Sequence, residues 1–457
     1  MRRRRVIAAA AAAAIAVSPF AEPRRRRIAF TDLPAVTQRA LASRGVGAEA
    51  FPAYVSKIAD ETDRRVAEGE REHLIYYALQ ATRFTRRPPI EPAISARRFV
   101  DRLPAAERRR LLDEPGFLPP SRWPSAERDR VNDLLHVSKG DDERIDYFRS
   151  LVRLKPDTTS ERGAVDELFA DYVRVARFLY LQESGDVDQI ARLYQSRAHS
   201  SDTRSEAGFG VYLGLGVIRG LEPQGRVKRA LVVGPGMDLA PRSALIDAVP
   251  PQSYQPFAVA DALLGLSLAA ENDLHVHSID VNPRVVTFLT GAARQPVTLH
   301  FFGGGAAAGN GSVSNDYRGY LGRLGLAIGR SARAAREIET DPRYVRSVTV
   351  RRTVADVMTA EILNIVTERL ADAPGYDLVV ATNVFSYMDD IQLALALANV
   401  GAMLRPGGYL IHNESRKGLA EVALASGVPV VQMRTAVLGG PADRPLYDAV
   451  WVHRRER

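Results

Sequence analysis

Through most of the first 205 positions apolar residues recur every three to four places. Thereafter the pattern changes to short β-branched runs separated by helical stretches. Within 165–181, Val165, Leu168, Phe169, Tyr172, Val173, Ala176 and Leu179 fall on one stripe of an α-helix, which needs a partner to bury it. The same spacing predicts helices over 51–66, 70–84 and 187–194, with proline-rich breaks at 87–92 and 118–124. Residues 28–205 therefore read as an all-helical domain of roughly eight short helices. Its His73, Tyr76 and Tyr77 are expected in the core or on helix surfaces, not as ligands.

In the second half, residues 206–457, strands are expected at 230–233, 275–279, 347–352, 378–381 and 409–412. Two more, 428–438 and 446–453, are separated only by a short linker beginning Gly439-Gly440-Pro441, which predicts an antiparallel hairpin. Strands alternating with helical stretches imply crossover connections and a parallel sheet. The fold class is α/β: a seven-stranded Rossmann-like sheet with a closing antiparallel hairpin, preceded by an all-helical domain.

A chain of 457 residues, 46% hydrophobic and 25% charged, has room for two or three globular domains. Its formal charge of +8 suggests a polyanionic partner until the first 27 residues are set aside. They hold eight arginines and Glu22, so 54 basic residues face 53 acidic ones in the remainder, and no nucleic acid partner is expected. The absence of cysteine excludes disulfides, thiolate metal sites and a cysteine nucleophile. No metal site is expected. Residues 1–27 form a basic, alanine-rich leader with the charged-then-apolar order of a secretory signal. Its apolar run is shorter than the roughly 20 residues that span a bilayer, and Arg24 to Arg27 follow it closely. The reading is a cytoplasmic chain with no stable membrane span, the alternative being export or membrane tethering through this leader.

In open parallel sheets ligands bind outside the carboxyl ends of the strands, so the residues just after each strand matter most. The first strand runs into Gly234-Pro235-Gly236-Met237-Asp238, where two glycines let backbone pass close to a ligand. The second ends in Asp280-Val281-Asn282, a carboxylate that can accept from both hydroxyls of a ribose. After the expected third strand comes Asp356-Val357, a carboxylate for an exocyclic amine beside an apolar cover for a purine. The fourth opens into Asn383 and Tyr387. Hydrogen bonds to charged groups contribute about 1.5 to 3 kcal/mol each, so two carboxylates would supply much of the affinity for adenosine.

With the Pro406-Gly407-Gly408 turn before the fifth strand, this order of segments resembles the class I S-adenosylmethionine-dependent methyltransferases over about 206–457. The resemblance implies S-adenosylmethionine as cofactor. It places the methionine part on Gly234, Pro235, Gly236 and Asp238, the ribose on Asp280, and adenine near Asp356 and Val357, with Asn383 beside the cofactor. Segment 383–390 is similar to its counterpart in chemotaxis-receptor glutamate methyltransferases and in small-molecule methyltransferases; that substrate is not carried over. Three features depart from the family. Val232 and Val233 replace an acidic residue in the first strand, with Asp238 where a third glycine is usual, and the helix after that strand is delayed by Leu239 to Pro256. An insertion occupies about 297–344. Its glycine-rich run 303–311 and the helix expected over 315–328 are read as a substrate cover, and the proline-glutamine segment 250–256 as part of a lid.

The activity this implies is methyl transfer to an oxygen or nitrogen nucleophile of an unknown acceptor, small molecule or protein. Asn383, Tyr387, His412 and Glu414 are the candidates for orienting or deprotonating it. Asp389 and Asp390 precede a helical stretch, and at least one is expected to cap it. The rival reading is a catalytically silent module that binds S-adenosylmethionine or a nucleoside and uses its helical domain for protein contacts. A nicotinamide enzyme fits less well, because Asp280 lies 46 positions after Gly234 when about 20 is usual.

Overall fold

The computed structural model describes residues 24–456 apart from 121–122, 138–142, 153–160, 204, 242–243, 304–312, 372–374 and 441–445. Most of the leader and of the glycine-rich run therefore lies outside the described residues. Arg24 to Arg27, assigned above to the leader, instead form strand β1 (Arg24–Arg27), paired antiparallel with β8 (Glu368–Ala371).

The amino-terminal half of the described residues holds the helices α1 (Ala35–Ala42), α2 (Phe51–Gln80), α3 (Pro92–Asp101), α4 (Ala105–Asp113), α5 (Ser125–His136), α6 (Glu143–Ser150), α7 (Glu161–Ser184) and α8 (Val187–Ser196). The two helices expected over 51–66 and 70–84 are one, α2, of 30 residues. Gly69 does not interrupt it. That glycine instead lets another segment approach, since a Cβ there would lie 1.9 Å from the carbonyl oxygen of His199. His73, Tyr76 and Tyr77 are fully buried.

Helix α9 (Ser205–Leu221) leads into the main sheet, built from β2 (Arg229–Val233), β3 (His275–Asp280), β7 (Met358–Ile362), β9 (Tyr376–Ala381), β10 (Leu404–His412), β11 (Val430–Gly439) and β12 (Leu446–Arg454). Their spatial order is β11-β12-β10-β9-β2-β3-β7. The five strands from β10 to β7 are parallel, and β12 and β11 return antiparallel. This is a seven-stranded, Rossmann-like sheet with a closing antiparallel hairpin, as the pattern predicts. The order reverses between β2 and β9, and such a switch point opens a crevice at the strands' carboxyl ends.

One strand is not where the pattern placed it. The run expected as third strand, 347–352, lies in β6 (Tyr344–Val350), which joins β4 (Thr298–Phe302) and β5 (Gly329–Ala332) in a separate three-stranded sheet. The neighbour of β3 is β7, whose Thr359 and Glu361 make it look polar. As the edge strand it meets His277 rather than a second apolar strand: the Thr359 hydroxyl lies 2.7 Å from Nδ1 and the Glu361 carboxylate 3.0 Å from Nε2. The insertion thus runs on to Val350.

Two large cores meet at α2. Its amino-terminal Phe51, Val55 and Ile58 pack with Leu231 and Val379 of the sheet. Its carboxyl-terminal stretch, Leu74 to Leu79, packs with Phe99, Val131 and Leu168 of the helical layer. That helical core also takes in Leu239, Ala240 and Ile246, which follow β2.

Candidate active site

Strand β2 is buried along Ala230 to Val233 because sheet neighbours and helices cover both faces, hence its continuous apolar run. It ends in Gly234 at φ 59° and Gly236 at φ 67°, the left-handed region that favours glycine. Space requires glycine too. A Cβ would lie 2.6 Å from Cγ2 of Val384 at Gly234, and 2.5 Å from the Ser201 carbonyl oxygen at Gly236. The resulting strip of bare backbone borders a cleft with about 850 Å³ of atom-free space, partly open to solvent.

Asp280 ends β3 and lines the same cleft. Its Oδ1 accepts from the Asn282 backbone N–H at 2.8 Å and its Oδ2 from the Gly236 N–H at 3.3 Å. Burial raises its pKa to about 6, helped by the charge of Glu70, while those backbone donors pull the other way. Asn282 caps helix α11 (Pro283–Ala292) through its Oδ1 and donates its Nδ2 to Glu70 of α2 at 2.6 Å. Tyr147 of α6 donates to the other oxygen of Glu70. The carboxyl end of β3 is therefore held by two helices of the amino-terminal half.

The opposite wall of the cleft is α2 itself, which contributes Thr62, Arg65 and Val66. Asn364, just past β7, donates to the Thr62 hydroxyl at 3.0 Å. Arg65 is only 4% exposed, and its guanidinium donates to the carbonyls of Arg197, Tyr387 and Tyr194 at 2.8, 3.2 and 3.2 Å. Nearby Arg197 is paired with Glu72 at 2.8 Å. Between these cations His199 is held neutral: burial, then the charges of Arg65 and Arg197, lower its pKa to about 3.

Of the candidates named from the sequence, Gly234, Gly236, Asp280, Asn383 and Tyr387 border this cleft. Pro235 is buried beside it and is not part of its lining. Asp238 turns to a different task, exchanging backbone hydrogen bonds with Gln252 in an isolated bridge. Gln252 in turn clasps His300 of β4 through both ends of its amide, so segment 250–256 ties the glycine turn to the insertion and does not line the cleft. Asp356 and Val357 are corrected as well. They precede β7, at the amino end of the strand, where Asp356 is exposed and paired with Arg352 at 2.7 Å. The residues in the expected adenine position are Leu363, Asn364, Ile365 and Val366. Nothing local marks them as strand-end residues, because only pairing with β3 defines β7.

His412 is also not in the cleft. It is fully buried within the sheet beside Phe385, Trp451 and His453. Its Nδ1 accepts the Glu414 backbone N–H at 3.2 Å, so the proton sits on Nε2 and is donated to His453 Nε2 at 2.8 Å. His453 then donates from Nδ1 to the Val428 carbonyl at 2.8 Å. The chain of bonds uses both histidines as neutral rings and leaves no lone pair for a substrate proton. Glu414, outside the cleft lining, pairs with Arg416 at 3.3 Å. Asn383 adopts φ 59°, rare for a residue with a side chain, and its Oδ1 accepts from Asn413, which also donates to Asp448 at 3.0 Å. Tyr387 packs edge-on against Tyr194 and His199, and burial raises its pKa. Asp389 is the cap of α15 (Asp390–Met403; α10, Gln255–Gly265, and α12 to α14, Asn315–Arg323, Arg336–Glu339 and Arg352–Ala355, precede it), accepting from the Gln392 N–H at 2.8 Å.

Bare glycine backbone, a buried carboxylate at a strand end and the apolar Leu363, Ile365 and Val366 fit a nucleoside carrying a polar arm. No protein-family model matches the sequence, and no curated protein does. Among solved structures, the chain is similar to the N-methyltransferase NodS from Bradyrhizobium japonicum WM9, with 15% identity over 55% of this chain and 99% of that one and a TM-score of 0.28. A TehB-like SAM-dependent methyltransferase from Corynebacterium glutamicum matches at 11% identity over 61% and 95% of the two chains, TM-score 0.27. Magnesium protoporphyrin IX methyltransferase from Synechocystis PCC 6803, with bound SAM, matches at 7% identity over 55% and 80%, TM-score 0.28. These identities and TM-scores are low, and the sheet order and site geometry carry the functional reading.

Proposed function

We propose that the chain transfers a methyl group from S-adenosylmethionine to an oxygen or nitrogen nucleophile of an acceptor presented beside Asn383. The observation that carries this is the meeting of Gly234, Gly236 and Asp280 in one cleft at the switch point of a sheet with this strand order. Asp280 accepts from the ribose hydroxyls, Leu363, Ile365 and Val366 cover the adenine, and the glycine backbone runs along the amino-acid arm.

When bound, S-adenosylmethionine supplies an electrophilic methyl group on its sulfonium. The chain's own task is to align the nucleophile with it, and alignment alone contributes about 7 to 11 kcal/mol. A dedicated base is not required. Asn383, clamped by Asn413, orients the acceptor, and Tyr387, kept protonated by burial, acts as a hydrogen-bond donor. Glu414 and His412 support the strand ends instead of exchanging protons with substrate.

Calorimetric titration with S-adenosylmethionine and S-adenosylhomocysteine, followed by incubation of the chain with methyl-labelled cofactor and fractionated extract, tests this reading. Binding of both and label in an acceptor support it. Binding without label in any fraction supports a silent binding module, and absence of binding overturns both.

A further inference from the structure

We propose that Arg65, a residue of the amino-terminal helical layer, is the anchor for the carboxylate on the amino-acid arm of the bound cofactor. This rests on reading the cleft as an S-adenosylmethionine site and assigns a contact that the sheet half does not provide.

The argument starts from charge. Arg65 is 96% removed from solvent, lines the cleft and makes no ion pair with any carboxylate among the described residues. Its neighbours show that this is not the local rule: Arg197 has Glu72, and Arg64, one position earlier, reaches Glu61 and Glu68 at 3.7 and 2.6 Å. Burial still lowers its pKa, since Glu61 and Glu68 of the same helix act on it only at a distance, so an arriving anion that pairs with it directly relieves a remaining cost.

Donor accounting agrees. A guanidinium has five N–H groups and this one uses three on backbone carbonyls, one from each nitrogen. One N–H on each terminal nitrogen remains, and a carboxylate accepts a pair of that kind with both oxygens. The three carbonyls also hold the guanidinium in place before any ligand arrives, so little side-chain entropy is left to lose.

Position gives the third support. The His199 N–H donates to the Arg65 carbonyl at 2.9 Å, and two residues on, the Ser201 carbonyl accepts from the Met237 N–H at 2.6 Å while crowding Gly236. Arg65 is thus tied to the glycine-turn end of the cleft, where an amino-acid arm would run. Among the described residues that line the cleft, His199 is held neutral and Arg65 is the cation the arm meets there. A ligand spanning from Asp280 to Arg65 is a nucleoside with an acidic arm.

The test compares S-adenosylhomocysteine with 5′-methylthioadenosine, the same thioether nucleoside without the amino-acid arm, by calorimetric titration of the full chain. In the unsubstituted protein the first should bind about 10- to 100-fold more tightly, the factor expected of charge-assisted bonds. Arg65→Gln should remove that advantage and leave 5′-methylthioadenosine affinity unchanged, and Arg65→Lys should restore part of it. Equal weakening of both ligands in Arg65→Gln and Arg65→Lys would make Arg65 a structural residue only and overturn the assignment, as would an unchanged preference. If the unsubstituted protein binds neither ligand, the cofactor reading itself falls and the assignment with it. If it binds both equally, only the assignment falls.

Discussion

At the scale of single residues, the two strand-end groups singled out from sequence have opposite fates, and each predicts its own pH behaviour. Asp280 faces the cleft with its pKa raised to about 6, and a ribose donating to it favours the ionised form. Affinity for S-adenosylhomocysteine should therefore rise as pH increases through about 6 and level off above it, in titrations across that range. Asp280→Asn should flatten the profile and weaken binding about 10-fold or more. His412 is the contrary case. Burial, then the nearby His453, pushes its pKa well below the ordinary value, and burial lowers that of His453 as well. A depressed histidine contributes stability that is present above its unfolded value of about 6.5 and is lost as pH falls from there toward the folded value. Urea midpoints should drop between pH of about 7 and about 5, and the drop should be smaller in His412→Phe. That variant should also lose about 1 to 3 kcal/mol at neutral pH, because His453 Nε2 is left buried without a donor.

At the scale of elements, α2 decides the site and was legible only as a helix. Its apolar spacing was readable, as was the stripe of α7, because both repeats are local. The function of Thr62, Arg65 and Glu70 was not, since their partners Asn364, Tyr387 and Asn282 lie 302, 322 and 212 positions away. Gly69 marks where this helix crosses the segment ending at Ser201, and Gly69→Ala must push them apart. The expected cost is about 1 to 3 kcal/mol in urea unfolding, together with weaker S-adenosylhomocysteine binding because Arg65 moves with the helix. Asp389 is a simpler element-level device. Asp389→Ala should cost α15 about 1 kcal/mol in the same measurement and leave cofactor affinity intact. The misplaced third strand has an elementary cause: β6 carries the β-branched residues, while β7 is a polar edge that only its pairing with β3 defines.

For the whole molecule, the helical layer and the sheet share α2 and exchange residues between their cores, so they should not unfold apart. Calorimetry should record one transition whose heat matches the van't Hoff value. Phe51→Ala, in the sheet core, and Leu74→Ala, in the helical core, should each lower that one transition, by about 2 to 5 kcal/mol. Two peaks, with each substitution moving a different one, would contradict this. Among the described residues no helix is long and apolar enough to cross a membrane.

The sequence by itself determined the features that depend on neighbours along the chain. These are the helical and β-branched periodicities, the bare-backbone turn at Gly234 and Gly236, the carboxylate at the end of β3, and the closing hairpin. Tertiary structure alone decided which strand lies beside β3, and hence that Asn364 and Ile365 stand where Asp356 was expected. It turned His412 inward to His453, and it laid Arg65 over a cleft built more than a hundred residues later in the chain. Periodicity and turn chemistry act over a few residues and are written locally. The counter-charge, the hydrogen-bond partner and the wall of a pocket come from segments that meet only when the cores close.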